Sequence, residues 1–167
     1  MSAAEELDVY LNDHLAGAHT GVEMARTLQR EVAGEPDAEL LGPIGDDVAA
    51  DVETLRHVME RLGVRRNPVK QAAGWVAEKA HRIGVAASRS HGPDLARMLA
   101  AESLALGVEG KLALWVALSD AASAADRDRL ADTGVPDLAG LADRARDQRR
   151  RLEAVRLAAA RRAFART

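Results

Sequence analysis

Two carboxylates interrupt an otherwise apolar stretch of the chain, LAAESLALGVEGKLALW at residues 99–115. Glu102 and Glu109 are seven residues apart, so a helix of about 3.6 residues per turn places them on one face. That face also contains aliphatic side chains, at Leu95, Leu99, Leu106, Ala113 and Val116. We therefore expect both carboxylates to point into a helical core.

Two other segments each place an ionisable side chain among aliphatic residues. His14 shares a predicted helix face with leucines and alanines, and Asp51 borders a stripe of isoleucine, valines and leucines. A charge buried alone costs several kcal/mol, so such groups need partners. Carboxylate oxygens and imidazole nitrogens together suit iron, manganese or zinc. One interpretation is thus a divalent metal site formed by His14, Asp51, Glu102 and Glu109.

Two other interpretations of the same residues remain open. They could form a hydrogen-bonded polar layer, or a carboxylate–imidazolium pair, that fixes how the helices align. Alternatively, the glutamates face water or pair with arginines of the last helix. Without a metal site, the chain needs no cofactor.

Helical periodicity predicts four long helices, at about residues 5–33, 37–62, 93–119 and 137–165. Gly42-Pro43 either kinks the second helix or marks its true start. We expect a shorter helix at about residues 67–83 and a short turn at about residues 126–131. The inward stripe of the second helix is predicted to be Leu41, Ile44, Val48, Val52, Leu55, Met59 and Leu62; that of the last helix is Leu138, Leu141, Ala145, Leu152, Val155 and Ala159.

Two antiparallel helix pairs joined by a long connection, residues 64–93, resemble the ferritin-like four-helix bundles. The resemblance implies an all-α, single-domain bundle over residues 1–167, with a short extra helix in the connection between helices two and three. The metal centres of that family use paired Glu-x-x-His motifs. The long helices here carry Glu53-x-x-Arg56 and Asp147-x-x-Arg150 instead, and arginine cannot ligate a metal. The sole Glu-x-x-His, Glu78 to His81, lies on the predicted short helix and away from its apolar stripe.

Four glycines fall inside predicted helices, at Gly17, Gly21, Gly107 and Gly110. Each costs about 1 kcal/mol relative to alanine. Close approach of a neighbouring helix or of a large side chain such as Trp115 is the expected compensation. Gly107 and Gly110 could instead make room for a bound water or ion.

Charge is distributed unevenly along the chain. Residues 1–64 contain 14 Asp and Glu against 4 Arg, whereas residues 144–167 contain 9 Arg against Asp147 and Glu153. An arginine-rich helix could bind nucleic acid or an anionic surface. Few aromatic residues accompany these arginines, which disfavours single-strand binding. We expect the basic last helix to pack beside the acidic first pair, and do not expect nucleic-acid binding.

Composition excludes several classes of protein. The chain has no cysteine, so disulfides, thiolate metal sites and cysteine nucleophiles are excluded. It has no run of 18 apolar residues, and its acidic N-terminal segment does not resemble a signal peptide. The many alanines and arginines are typical of GC-rich bacterial genomes.

From these features we expect a cytoplasmic, non-catalytic bundle with a structural, interaction or stress-related role. The alternatives are a carboxylate/histidine metal-binding protein and an arginine-rich binder of nucleic acid or anionic surfaces. The nearly all-apolar third long helix needs cover on every side, which predicts a homo-oligomer.

Overall fold

The computed structural model describes residues 1–65, 92–131 and 137–165. All regular secondary structure in these ranges is helical, which confirms the prediction of an all-α protein. The helices are α1 (Ala3–Glu31), α2 (Asp37–Leu41), α3 (Ile44–Arg61), α4 (Pro93–Ala121), α5 (Ala124–Ala131) and α6 (Leu138–Ala163). The predicted helix at 67–83, the Glu78–His81 pair and most of the 64–93 connection lie outside the described residues.

The second predicted helix is in fact two helices, separated at Gly42-Pro43. Gly42 has φ +58°, a conformation that side chains with a Cβ rarely adopt, and proline cannot continue the hydrogen bonding of α2. At the other end of α3, Gly63 has φ +71° and donates to the Glu60 carbonyl, while Val64 donates to Met59. These two bonds form the glycine cap that the sequence predicts.

The long helices pack as neighbours with defined directions. α1 packs against α3 and α4, and α4 packs along α6. α1 and α3 are antiparallel, because the Gly45 N–H donates to Gln29 Oε1 (2.8 Å) and Asn12 Nδ2 donates to the carbonyl of Arg65 (3.0 Å). Arg162, at the end of α6, pairs with Asp94 at the start of α4, and Arg149, earlier in α6, pairs with Glu109 midway along α4, so α4 and α6 are antiparallel as well.

The core confirms the predicted stripes of the second and last long helices and contradicts that of α4. All six aliphatic positions predicted inward from Leu41 to Met59 are buried, as are those from Leu141 to Ala159. On α4 the buried positions include Leu104, Val108 and Trp115, whereas Leu106 is 71% exposed. The phase of α4 was wrong because its sequence is apolar on almost every face, so no stripe stands out.

At one end of the packed helices, charged side chains surround the buried carboxylate of Asp37. Arg97 of α4 donates to Asp37 Oδ2 (3.3 Å) and to Glu35 Oε2 (2.6 Å), and Arg162 of α6 donates to Asp37 Oδ1 (3.2 Å). Asp37 and Arg97 are both buried. Because buried charges need partners, these contacts hold the start of α2 against α4 and α6.

We predict that Asp37→Asn lowers the free energy of unfolding by about 2 kcal/mol or more, because Arg97 then loses a buried counter-charge. Asp143→Asn is the control, since Asp143 belongs to an exposed pair with Arg146, and it should cost less than about 0.5 kcal/mol. Urea unfolding followed by circular dichroism measures both. Equal effects of the two substitutions would contradict this role for Asp37.

Candidate functional site

A buried polar cluster centres on the carboxylate of Asp51, on α3. Lys111 Nζ of α4 donates to both Asp51 Oδ2 and Gln148 Oε1. Gln148 Nε2 of α6 in turn donates to Asp51 Oδ2 at 2.8 Å. Asp51 is 4% exposed and Gln148 is fully buried, so three helices meet at one hydrogen-bonded triangle.

The cluster carries more positive than negative charge. Arg144 of α6 forms an ion pair with Asp51 Oδ1, so one carboxylate faces both an ammonium and a guanidinium. Burial lowers the pKa of the Lys111 ammonium, and the nearby Asp51 carboxylate opposes that shift. The adjacent Asp47 is itself paired with Arg151. Asp51, Lys111 and Arg144 together therefore have one surplus positive charge.

The expectation that Glu102 and Glu109 point into the core is wrong. Both are exposed, and Glu109 pairs with Arg149 of α6 at 2.7 Å. This is the third interpretation given above, in which the glutamates face water or pair with arginines of the last helix. The physical reason is the misjudged phase of α4: its buried face is set by Leu104, Val108 and Trp115.

The four predicted metal ligands are not brought together. Asp51 is buried in the polar cluster, His14 is half-buried on α1, and the two glutamates face outward. Across residues 1–65, 92–131 and 137–165, no group of three or more His, Cys, Asp or Glu side chains could hold a metal ion. For Asp51, the polar-layer interpretation describes the observed contacts.

His14 and Asp51 nevertheless line the same cavity, of about 410 Å³, between α1, α3 and α4. This volume falls in the range of small-molecule pockets, roughly 300–1,000 Å³. Its wall is mostly apolar: Ala18, Val48, Val52, Leu55, Leu104, Val108 and Leu114. Its polar groups are those of Tyr10, Asp13, His14, Asp51, Lys111 and Trp115. Asp13 and Gly107 are exposed and lie at its rim.

Three glycines of α1 and α4 line this cavity: Gly17, Gly21 and Gly107. A Cβ at Gly17 or Gly107 would meet no neighbouring atom within 4 Å among the described residues, and one at Gly21 would only touch Val48 Cγ1 at 3.9 Å. Among the described residues, no neighbour therefore approaches Gly17 or Gly107 closely, and Gly107 is itself exposed.

Trp115 contributes a buried donor that the described protein leaves unused. The indole is 1% exposed and lines the cavity, yet its Nε1–H has no hydrogen-bond partner within the described ranges. Leaving a buried donor unpaired costs about 1–3 kcal/mol. Trp115 lies one helical turn from Lys111, on the same face of α4.

His14 lines the cavity from α1. Its ring packs edge-to-face on Tyr10, with centroids 4.6 Å apart. Burial lowers the pKa of the His14 imidazole below its ordinary value, and the Asp13 carboxylate opposes that shift. The folded structure therefore favours the neutral form of the His14 imidazole.

The arginines of α6 bind carboxylates of the chain itself. Arg144, Arg151 and Arg162 pair with Asp51, Asp47 and Asp37 of the acidic first half. Arg149 pairs with α4, and others pair within α6. These ion pairs give the charge complementarity that the sequence predicts, although α6 packs along α4 and against α2 rather than beside α1 and α3. They reduce the charge available to a polyanion.

None of the described helices is long and apolar enough to cross a bilayer.

Comparison with protein-family models, with curated proteins and with solved structures found no match for this chain.

Sequence reasoning found Asp51 and His14 but missed Lys111, Arg144 and Gln148. A signal existed for Gln148, which is spaced three and four residues from the inward Ala145 and Leu152. Lys111 gave no such signal, because the long stem of a lysine allows its ammonium to reach inward from a helix flank.

We predict that Gly107→Ala raises the free energy of unfolding by up to about 1 kcal/mol, because alanine favours helix and the new methyl enters open space. Gly45→Ala is the opposite case. Its Cβ would lie 2.8 Å from Gln29 Oε1 and 3.0 Å from Arg26 Cγ, so it should destabilise the protein. Urea unfolding compares the two, and a loss of stability in Gly107→Ala would show that this glycine serves close packing.

We also predict how the stability of the protein depends on pH. Because the folded state lowers the pKa of His14, the unfolded chain binds more protons near pH 6, and stability must rise with pH in that window. His14→Phe keeps a ring against Tyr10 and removes the titration. We expect its loss of stability between about pH 7 and about pH 5 to be smaller than that of the unmodified protein.

Proposed function

We propose that this protein is a non-catalytic helical bundle that binds a small, mostly apolar molecule in the cavity between α1, α3 and α4. The observation that carries the proposal is the pair of glycines, Gly17 and Gly107, on facing helices of that cavity. Helix interiors disfavour glycine, and a Cβ at either position would meet open space among the described residues, at the exposed rim in the case of Gly107. A ligand in the cavity would contact both positions.

The polar groups of the cavity support binding more than catalysis. The lining contains no serine, threonine or cysteine among the described residues, so it offers no hydroxyl or thiol nucleophile of those kinds. Asp51 and Lys111 are held in ion pairs with each other, and Arg144 adds a second cation. Such fixed polar groups within an apolar wall orient a ligand, as is usual in binding pockets.

The helix directions favour a ferritin-like arrangement for the bundle. α1 is antiparallel to both α3 and α4, since Arg97 near the start of α4 donates to the carbonyl of Glu31 at the end of α1. α3 and α4 therefore run the same way. Parallel second and third long helices are typical of ferritin-like folds, which have one long crossover. Homo-oligomer formation remains a prediction.

A neutral fluorescent probe tests the binding proposal. N-phenyl-1-naphthylamine fluoresces strongly in apolar surroundings, and we expect saturable binding of about one molecule per chain. The double variant Gly17→Leu/Gly107→Leu fills the cavity from two sides and should lower the affinity at least about tenfold while the protein stays folded.

Gly110→Leu is the matched control. Gly110 is also a helical glycine of α4 with open space around its Cβ position among the described residues, but it does not line the cavity. The Gly110→Leu variant should bind the probe with the same affinity as the unmodified protein does. Equal binding by the filled double variant, or no saturable binding by the unmodified protein, would overturn the proposal.

A further inference from the structure

The polar end of the cavity has hydrogen-bond donors that are not used within the described protein, and one surplus positive charge. An ammonium carries three N–H donors, and Lys111 gives two of them to Asp51 and Gln148. Trp115, one turn further along α4, carries a buried indole N–H with no acceptor among the described residues. Two neighbouring residues on one helix face of α4 therefore carry such donors in a mostly apolar lining.

We propose that the ligand is an apolar-tailed carboxylic acid, with its carboxylate held between Lys111 and Trp115 and its tail along the glycine-lined wall. This inference rests on the proposed function, since it names the chemical class that the same cavity takes. A carboxylate has two acceptor oxygens, which matches two donors, and hydrogen bonds to charged groups are the stronger ones.

The acidic groups near this position do not cancel the attraction. Asp51 is countered by both Lys111 and Arg144, and Asp47 is paired with Arg151. Asp13 lies at the exposed rim, where solvent screens its charge. His14 and Tyr10, also in the lining, can each donate a hydrogen bond to an acid.

Comparing the affinities for octanoate and 1-octanol separates the effect of the head-group charge from the effect of the apolar tail. Calorimetric titration at about pH 7 should show octanoate binding about tenfold or more tighter than 1-octanol. In a Trp75→Phe background Trp115 is the single tryptophan of the chain, so its emission should change on octanoate binding.

Lys111→Met tests the head-group contact directly. Asp51 keeps Arg144 and Gln148 as partners in this variant, so its carboxylate stays paired. We expect the preference for octanoate over 1-octanol to disappear while 1-octanol binding is kept. Arg149→Met is the matched control: it also removes one positive charge, but from a half-exposed pair with Glu109 outside the cavity, and should keep the preference.

If Lys111→Met fails to fold by circular dichroism, Trp115→Phe decides the question, because it keeps a ring and removes the indole N–H. Trp115→Phe should weaken the binding of octanoate more than the binding of 1-octanol. Equal affinities for the two ligands in the unmodified protein, or an unchanged preference in the folded variants, would overturn the inference. Saturable binding of the naphthylamine probe in the same protein would then leave the proposed function standing, whereas failure of all three ligands would remove both.

Discussion

The buried carboxylate of Asp51 is the constraint on which the rest of the helix packing depends. A charge at 4% exposure must be compensated, and its partners come from two other helices: Lys111 from α4, Arg144 and Gln148 from α6. α3 otherwise packs closely against α1 and contacts α5. The polar cluster therefore ties α3 to α4 and α6 through side chains rather than through close backbone contact, and so fixes the register of three helices.

Joining helices through long polar side chains has a consequence for the space beside them. Lysine and arginine reach across a wider gap than leucine or alanine, so the helices they connect need not approach closely. The cavity lies beside this cluster, on the side facing α1, and Gly17 and Gly107 add no side chain to its lining. The polar cluster and the glycines are thus both part of the cavity wall.

Much of the fold was predictable from the sequence, and the candidate site was predictable only in part. Amphipathic stripes specified α3 and α6 correctly, because their polar faces are strongly polar. α4 has no polar face to contrast with its apolar one, so the inward placement of Glu102 and Glu109 was wrong although the helix itself was right. Cavities are harder to predict from a sequence than the buried faces of helices are. Glycine in a helix has the same sequence signal whether a neighbour approaches closely or leaves a space, and only coordinates distinguish the two.

The charges of the polar cluster need a reason other than stability. Replacing a buried ion pair by apolar residues of similar volume is often neutral or stabilising, so stability alone does not account for Asp51 and Lys111 in a bundle otherwise rich in leucine and alanine. One use of such a group is to fix register, which the three-helix contact provides. A second use follows from its position: the ammonium that fixes register also lines the cavity, so the same side chain that aligns the helices presents a charge to whatever enters. An apolar replacement could preserve the bundle, but it would remove the feature by which the cavity distinguishes an acid from a neutral molecule.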